Sequence, residues 1–327
     1  MRCVFIRCVL MSAVAASGAV SPTPEWARMV KQAVTLDRNG NYQEAAKACE
    51  SALRLAAAFE PSDRRVPFTL NRLALIYEEL GRFSDALHLY QRALPLVEHS
   101  IGKNSQEYAS LLNNLSAAYM EQGQFAKAEP LIRETLAIEE TVPKRDDAEL
   151  AKSRSVLADI LIKRGKYAEA DRQLAQAIHV FENLPGSKRD LGTARNDLAL
   201  VRRFQKQPEE ARRLLEAAVD VIESDAGPGH PALARVLNNL GSCYAVLGLR
   251  DQADAAYRQS IEIAEARFGP EHPQYGVMLH NYAGFLRACG RKSEAKALEA
   301  HSREAIQQSA RRNGVGMTVD VSAFQQK

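Results

Sequence analysis

The chain has 327 residues, of which 46% are hydrophobic, 25% charged and 6% aromatic, with a formal net charge of +3. These proportions exclude a disordered chain, and so small a positive excess excludes binding to nucleic acid or an acidic membrane through bulk charge. Scarce aromatics and abundant alanine favour close helix packing over a β-sandwich.

The first segment is MRCVFIR, with Arg2 and Arg7 and no acid; the small apolar run CVLMSAVAASGAV and then SPTPEW follow. Basic, then apolar, then small is the order of a secretory signal peptide, with Ser17-Gly18-Ala19 as the cleavage site, so residues 1–19 are expected to be a leader. The run is too short to span a bilayer. The expected location is therefore periplasmic or secreted, or cytoplasmic if the leader does not act, with no membrane span in the mature chain. Cleavage leaves Cys49, Cys243 and Cys289. An odd number without a C-x-x-C reads as buried apolar residues rather than a disulfide framework.

From about residue 25 the chain repeats itself. Glycines that end an apolar helical pattern fall at Gly40, Gly81, Gly123, Gly165, Gly248 and Gly290, in steps of 41, 42, 42, 83 and 42. Lys206 holds the missing mark inside the double step. Five residues after each mark stands an alanine: Ala45, Ala86, Ala128, Ala170, Ala211, Ala253 and Ala295. Seven further on the residue is again small: Ala52, Ala93, Thr135, Ala177, Ala218, Ser260 and Ser302. Apolar residues before each mark are spaced by three and four, which predicts an amphipathic helix. Gly ends it because the residue past a helix C-terminus often needs a left-handed backbone. The alanines then mark where a second helix approaches the first, with Tyr90, Ile132, Leu174, Leu215 and Tyr257 filling the gaps.

This pattern resembles the tetratricopeptide repeat, in one frame through Leu240-Gly241, Tyr244, Gly248, Ala253, Tyr257 and Ser260. The 42-residue period and the connectors GPGHP at Gly227 and GPEHP at Gly269 are similar to the kinesin-light-chain type of repeat. The resemblance implies an all-α fold, a right-handed superhelical solenoid of about seven antiparallel helix pairs. Expected repeats are 25–60, 66–101, 107–142, 148–184, 190–225, 231–267 and 273–308, followed by a C-terminal tail over 309–327. Departures fall in the fourth and fifth frames, where Arg154, Arg195 and Arg202 replace an apolar residue or the Tyr. The end frames carry Gln32, Glu299 and Arg303 at normally apolar positions, as capping repeats require.

His230 and His272 sit immediately before a Pro that starts a helix, a position Pro favours. A metal pair at one-repeat spacing lacks further ligands, and no nucleophile, phosphate-loop or dinucleotide signature is present. No catalytic residue, metal or cofactor is therefore expected. The acid pairs Glu78-Glu79 and Glu139-Glu140 read as solvated helix faces.

Partner-binding candidates follow from the face that lines the concave side of such a superhelix. Ten residues before the mark stand Asn71, Asn113, Ser155, Asn196, Asn238 and His280, flanked by Asn114, Asn239 and Asn281. An amide side chain both donates and accepts, so the ladder serves either the backbone of an extended peptide or the register between neighbouring helices. Lys152, Lys163, Arg203, Arg235 and Arg287 add positive points, and Glu78, Glu79 and Glu121 negative ones, giving an expected preference for peptides acidic toward the C-terminal repeats. The Lys/Asn clamp of chaperone-binding relatives is not reproduced. In the tail, MTVDVSAF reads either as a strand able to pair with a partner or as disorder. The expected function is a non-catalytic protein- or peptide-binding scaffold. The alternatives are a self-assembling structural repeat protein and a regulatory subunit of a separate enzyme.

Overall fold

The structure is a computed structural model and describes residues 24–313 except 57, 61 and 143–145. The expected leader and the MTVDVSAF stretch lie outside the described residues. Fourteen α-helices and no strand occur among the described residues, in two compact units divided between Arg164 and Gly165.

The first unit holds α1 (Pro24–Arg38), α2 (Tyr42–Ala56), α3 (Arg65–Glu79), α4 (Phe83–Ser100), α5 (Gln106–Glu121), α6 (Phe125–Glu139) and α7 (Asp147–Lys163). The second holds α8 (Tyr167–Asn183), α9 (Lys188–Phe204), α10 (Pro208–Ala226), α11 (Pro231–Val246), α12 (Arg250–Phe268), α13 (Pro273–Ala288) and α14 (Lys292–Asn313). Within each unit every helix packs on the next, and in the second α11 also touches α9 and α13. There the odd-numbered helices form one layer and the even-numbered helices the other. This is an all-α helical repeat fold.

The turn inside a pair repeats in detail. Gly248 takes φ 76°, and Leu249 N–H reaches back to Tyr244 C=O at 2.9 Å, closing the end of α11. Lys206 adopts the same left-handed backbone with φ 60°, and Gln207 N–H bonds Arg202 C=O at 2.9 Å. Lys206 is the one non-glycine with positive φ among the described residues, so the repeat geometry overrides the side chain's steric preference there.

The alanines at the fixed step are none more than 1% exposed. Where the second small residue is not alanine, its hydroxyl donates to a backbone carbonyl of the preceding odd helix. Ser260 bonds Ala234 at 2.6 Å, Ser302 bonds Gly276 at 2.7 Å and Thr135 bonds Ala109 at 3.4 Å. A buried hydroxyl needs such a partner. Gly241 is small because a Cβ there would stand 3.0 Å from the Tyr257 ring.

The three arginines that break the apolar pattern each reach a carboxylate on the preceding even helix or at its cap. Arg154 pairs with Glu140 at 2.6 Å, Arg195 with Glu182 at 2.9 Å and Arg202 with Asp171 at 2.5 Å. At the N-terminal end Trp26 packs edge-on against Phe59 and Phe68 and donates to Thr69 Oγ1 at 3.1 Å. Gln32 on α1 faces solvent, and at the other end Glu299 pairs with Arg287 while Arg303 faces solvent.

Candidate functional site

The asparagines on the odd helices bond one another across a single repeat. Asn114 Nδ2 donates to Asn71 Oδ1 at 2.9 Å, Asn239 to Asn196 at 2.8 Å and Asn281 to Asn238 at 3.2 Å, each over 43 residues. The first residue of an Asn-Asn dipeptide accepts from the following repeat, and the second donates to the preceding one. Asn71, Asn113, Asn114, Asn196 and Asn238 are no more than 5% exposed. These five lie inside the helix layer of the free chain, while Asn239 and Asn281 are half-buried.

Asn113 breaks the pattern. Its Oδ1 is buried without a donor, because Val156 stands where the next donor would be. In the fourth frame Ser155 turns its hydroxyl to Ala151 C=O at 3.1 Å instead.

Three of the positive candidates are engaged within the chain. Lys152 pairs with Glu149 at 3.0 Å, Arg235 approaches Asp197 at 3.9 Å and Arg287 pairs with Glu299. Lys163 is exposed, and Glu78, Glu79 and Glu121 are half-buried.

The acid pair at 139–140 corrects its reading as a solvated face. Glu140 is exposed, but Glu139 is buried, because the helical phase turns it toward α7. Glu139 Oε1 accepts from Ser153 at 3.1 Å, and Oε2 is buried without a donor. Burial pushes this carboxyl up to about 7, against the pull of the Ser153 hydrogen bond.

His230 and His272 are helix N-caps. His230 Nδ1 accepts from Ala232 N–H at 3.3 Å, and His272 Nδ1 from Gln274 N–H at 3.2 Å. The cap satisfies one of the first, unpaired amides of α11 and α13. Desolvation, followed by Arg189 and Arg267, holds His230 below its ordinary value. No group of three metal-ligating side chains occurs among the described residues. Cys49 and Cys243 are buried with thiols pushed up to about 12 and about 11, chiefly by desolvation.

Sequence reasoning missed the histidine caps and the buried Glu139. The 43-residue spacing of Asn71 and Asn114 was visible, but it is one residue longer than the repeat, so a search at the repeat period passes over it.

Residues 27–196 match the MalT-like TPR region, and residues 190–266 and 234–308 match the tetratricopeptide repeat. No curated protein matches the chain. Among solved structures, the apo form of RapI superposes with a TM-score of 0.73 at 13% identity, over 88% of this chain and 99% of that one. The apo form of the quorum sensor NprR from B. thuringiensis gives 0.69 at 17% identity, over 88% and 77%. The putative kinesin light chain repeats from Podosopora anserina give 0.55 at 21% identity, over 63% and 98%. At these identities the likeness is one of fold. No helix among the described residues is long and apolar enough to cross a membrane.

Proposed function

Since the chain belongs to the tetratricopeptide repeat family, we propose that it works as a non-catalytic scaffold holding a protein or extended peptide along its odd-helix layer. The observation that carries this reading is the set of amides on α11 and α13. Asn239 and Asn281 each give one amide proton to the preceding repeat and stay half-buried. A carboxamide has two donors and two lone pairs, so one internal bond fixes its orientation and leaves capacity for a partner's backbone. Fixing that geometry before binding lowers the ordering cost of association. In this reading Arg235 flanks the partner on the second unit, and the buried Asn196 and Asn238 position the layer there.

The test is photo-crosslinking in the source organism, with a photoreactive residue at 239, at 281 or, as a control, at the exposed Arg213 on α10. Adducts from 239 and 281 and none from 213 support the reading; adducts from 213 alone overturn it. The N-terminal pattern supports export of this scaffold. Amino-terminal sequencing of the protein recovered from the cell envelope or medium should begin at Val20, and recovery of the uncut chain from the cytoplasm would refute this.

A further inference from the structure

The first unit holds a cavity of about 450 Å³, a size within the roughly 300–1,000 Å³ of small-molecule sites. Val66 and Leu73 on α3 form its floor, Leu53 on α2 and Leu89 on α4 its walls, and the exposed Arg54 and Arg92 its rim. On the same lining Tyr77 gives its hydroxyl proton to Glu50 at 2.8 Å.

The repeat explains the space. Val66 stands fifteen residues before its mark, Gly81, and the same step before the later marks holds Tyr108, Leu150, Leu191, Leu233 and Tyr275. All five are buried, and Val66 is smaller than any of them. In the third repeat Tyr108 is 3% exposed, and its hydroxyl meets Glu134 on α6. The residue that corresponds to Glu134 in the second repeat is Arg92. Where one repeat sets a phenol beside a carboxylate, its neighbour sets a short side chain beside a guanidinium. A close-packed core that lacks a ring at one place forfeits the contacts the ring would make, and a ring from outside restores them.

The rim gives that ring its polar group. Glu50 is the one carboxylate on the lining, against the two guanidinium groups. Arg54 donates to Ser51 Oγ at 2.8 Å, and neither arginine pairs with a carboxylate among the described residues. A guanidinium both stacks on aromatic faces and pairs with carboxylates. The apolar floor and the positive rim together describe an aromatic body with one negative edge.

We propose that this cavity binds a small aromatic acid, with its ring in the place that Tyr108 fills in the next repeat and its carboxylate at Arg92 and Arg54. Both arginines lie on even helices, and the inference does not depend on the odd helices being the partner face.

The test titrates the whole chain with cinnamate to ~10 mM by calorimetry, beside cinnamamide and hexanoate. Cinnamate should bind wild type, and Val66→Tyr should weaken it at least ~10-fold by filling the floor. Val66→Leu carries the residue of three other repeats, so it keeps the test open if the tyrosine variant fails to melt cooperatively, and it should weaken binding by roughly 3-fold. Cinnamamide should bind wild type roughly 2–5-fold less tightly, the range of an exposed ion pair, and this gap should close in Arg54→Gln/Arg92→Gln. Hexanoate should bind less tightly than cinnamate. No cinnamate binding, or equal affinity in wild type and the folded Val66 variants, would overturn the site. Hexanoate as tight as cinnamate would overturn the aromatic ligand, and an amide gap that persists in the double arginine variant would overturn the role of the rim.

Discussion

Asn114 gives an amide proton to Asn71 at 2.9 Å, one repeat back along the chain, and both side chains are buried. A buried amide left without its partner costs stability, whereas a satisfied pair contributes modestly and fixes register. The bond ties α3 to α5 at one axial position, which apolar packing alone leaves free to slide.

The orphaned Oδ1 of Asn113 shows what the ladder lacks. Val156 occupies the donor position of the fourth frame and is half-buried. Val156→Asn should supply the donor and stabilise the chain by about 0.5–1.5 kcal/mol. In urea denaturation the gain should vanish in an Asn113→Ala background. A gain that persists there would mean the new amide bonds elsewhere.

Lys206 carries the left-handed backbone at φ 60° that glycine supplies in the other turns. A side chain in that conformation costs about 1 kcal/mol, partly offset by the greater freedom of glycine when unfolded. Lys206→Gly should therefore raise the urea midpoint, with a gain of about 0.5 kcal/mol and an unchanged slope. A lower midpoint would show that Lys206 has a compensating contact.

Glu139 makes stability depend on pH in the direction opposite to most carboxylates. Its folded value, about 7, lies above the ordinary 4.5, so ionisation penalises the folded chain. Stability is full below about pH 4.5, falls as pH rises through 7, and carries the whole cost above it. Glu139→Gln keeps an acceptor for Ser153 and should raise stability at pH 8 by about 1–3 kcal/mol while changing little at pH 4. Thermal melts across this range read the effect, and a variant parallel to wild type would refute it.

The histidine cap titrates the other way. His230 Nδ1 accepts a backbone proton and must be unprotonated to do so. Its folded value lies below the ordinary 6.5, so its contribution is present above pH 6.5 and is lost as pH falls. His230→Ala should cost about 0.5–2 kcal/mol at pH 7.5. His230→Asn should keep the cap and flatten the loss between pH 7 and 5. A His230→Asn profile as steep as wild type would place that titration elsewhere.

Most of the fold is legible in the sequence because its rules are steric. An alanine where two helices meet and a left-handed residue at each mark leave few substitutes, so both recur at a fixed step. Lys206 was recognisable only from its neighbours. The site is less legible because hydrogen bonding is permissive. An asparagine on the odd helices satisfies a peptide or another asparagine equally well, and only in the folded chain is Asn196 seen bonded to Asn239 at 2.8 Å. Glu139 defeated the sequence reading because two adjacent acids look solvated, while helical phase turns one of them inward.

The dipeptide Asn238-Asn239 faces both ways, since Asn239 hooks the repeat before it and Asn238 is the eye for the one after. A unit with both fittings is self-compatible. Copying the 42 residues from one Gly-Pro connector to the next would insert a segment whose hook meets the old eye and whose eye meets the old hook. Lengthening by whole units therefore needs no new interface, whereas one extra residue within a unit would unfasten every amide joint it crosses.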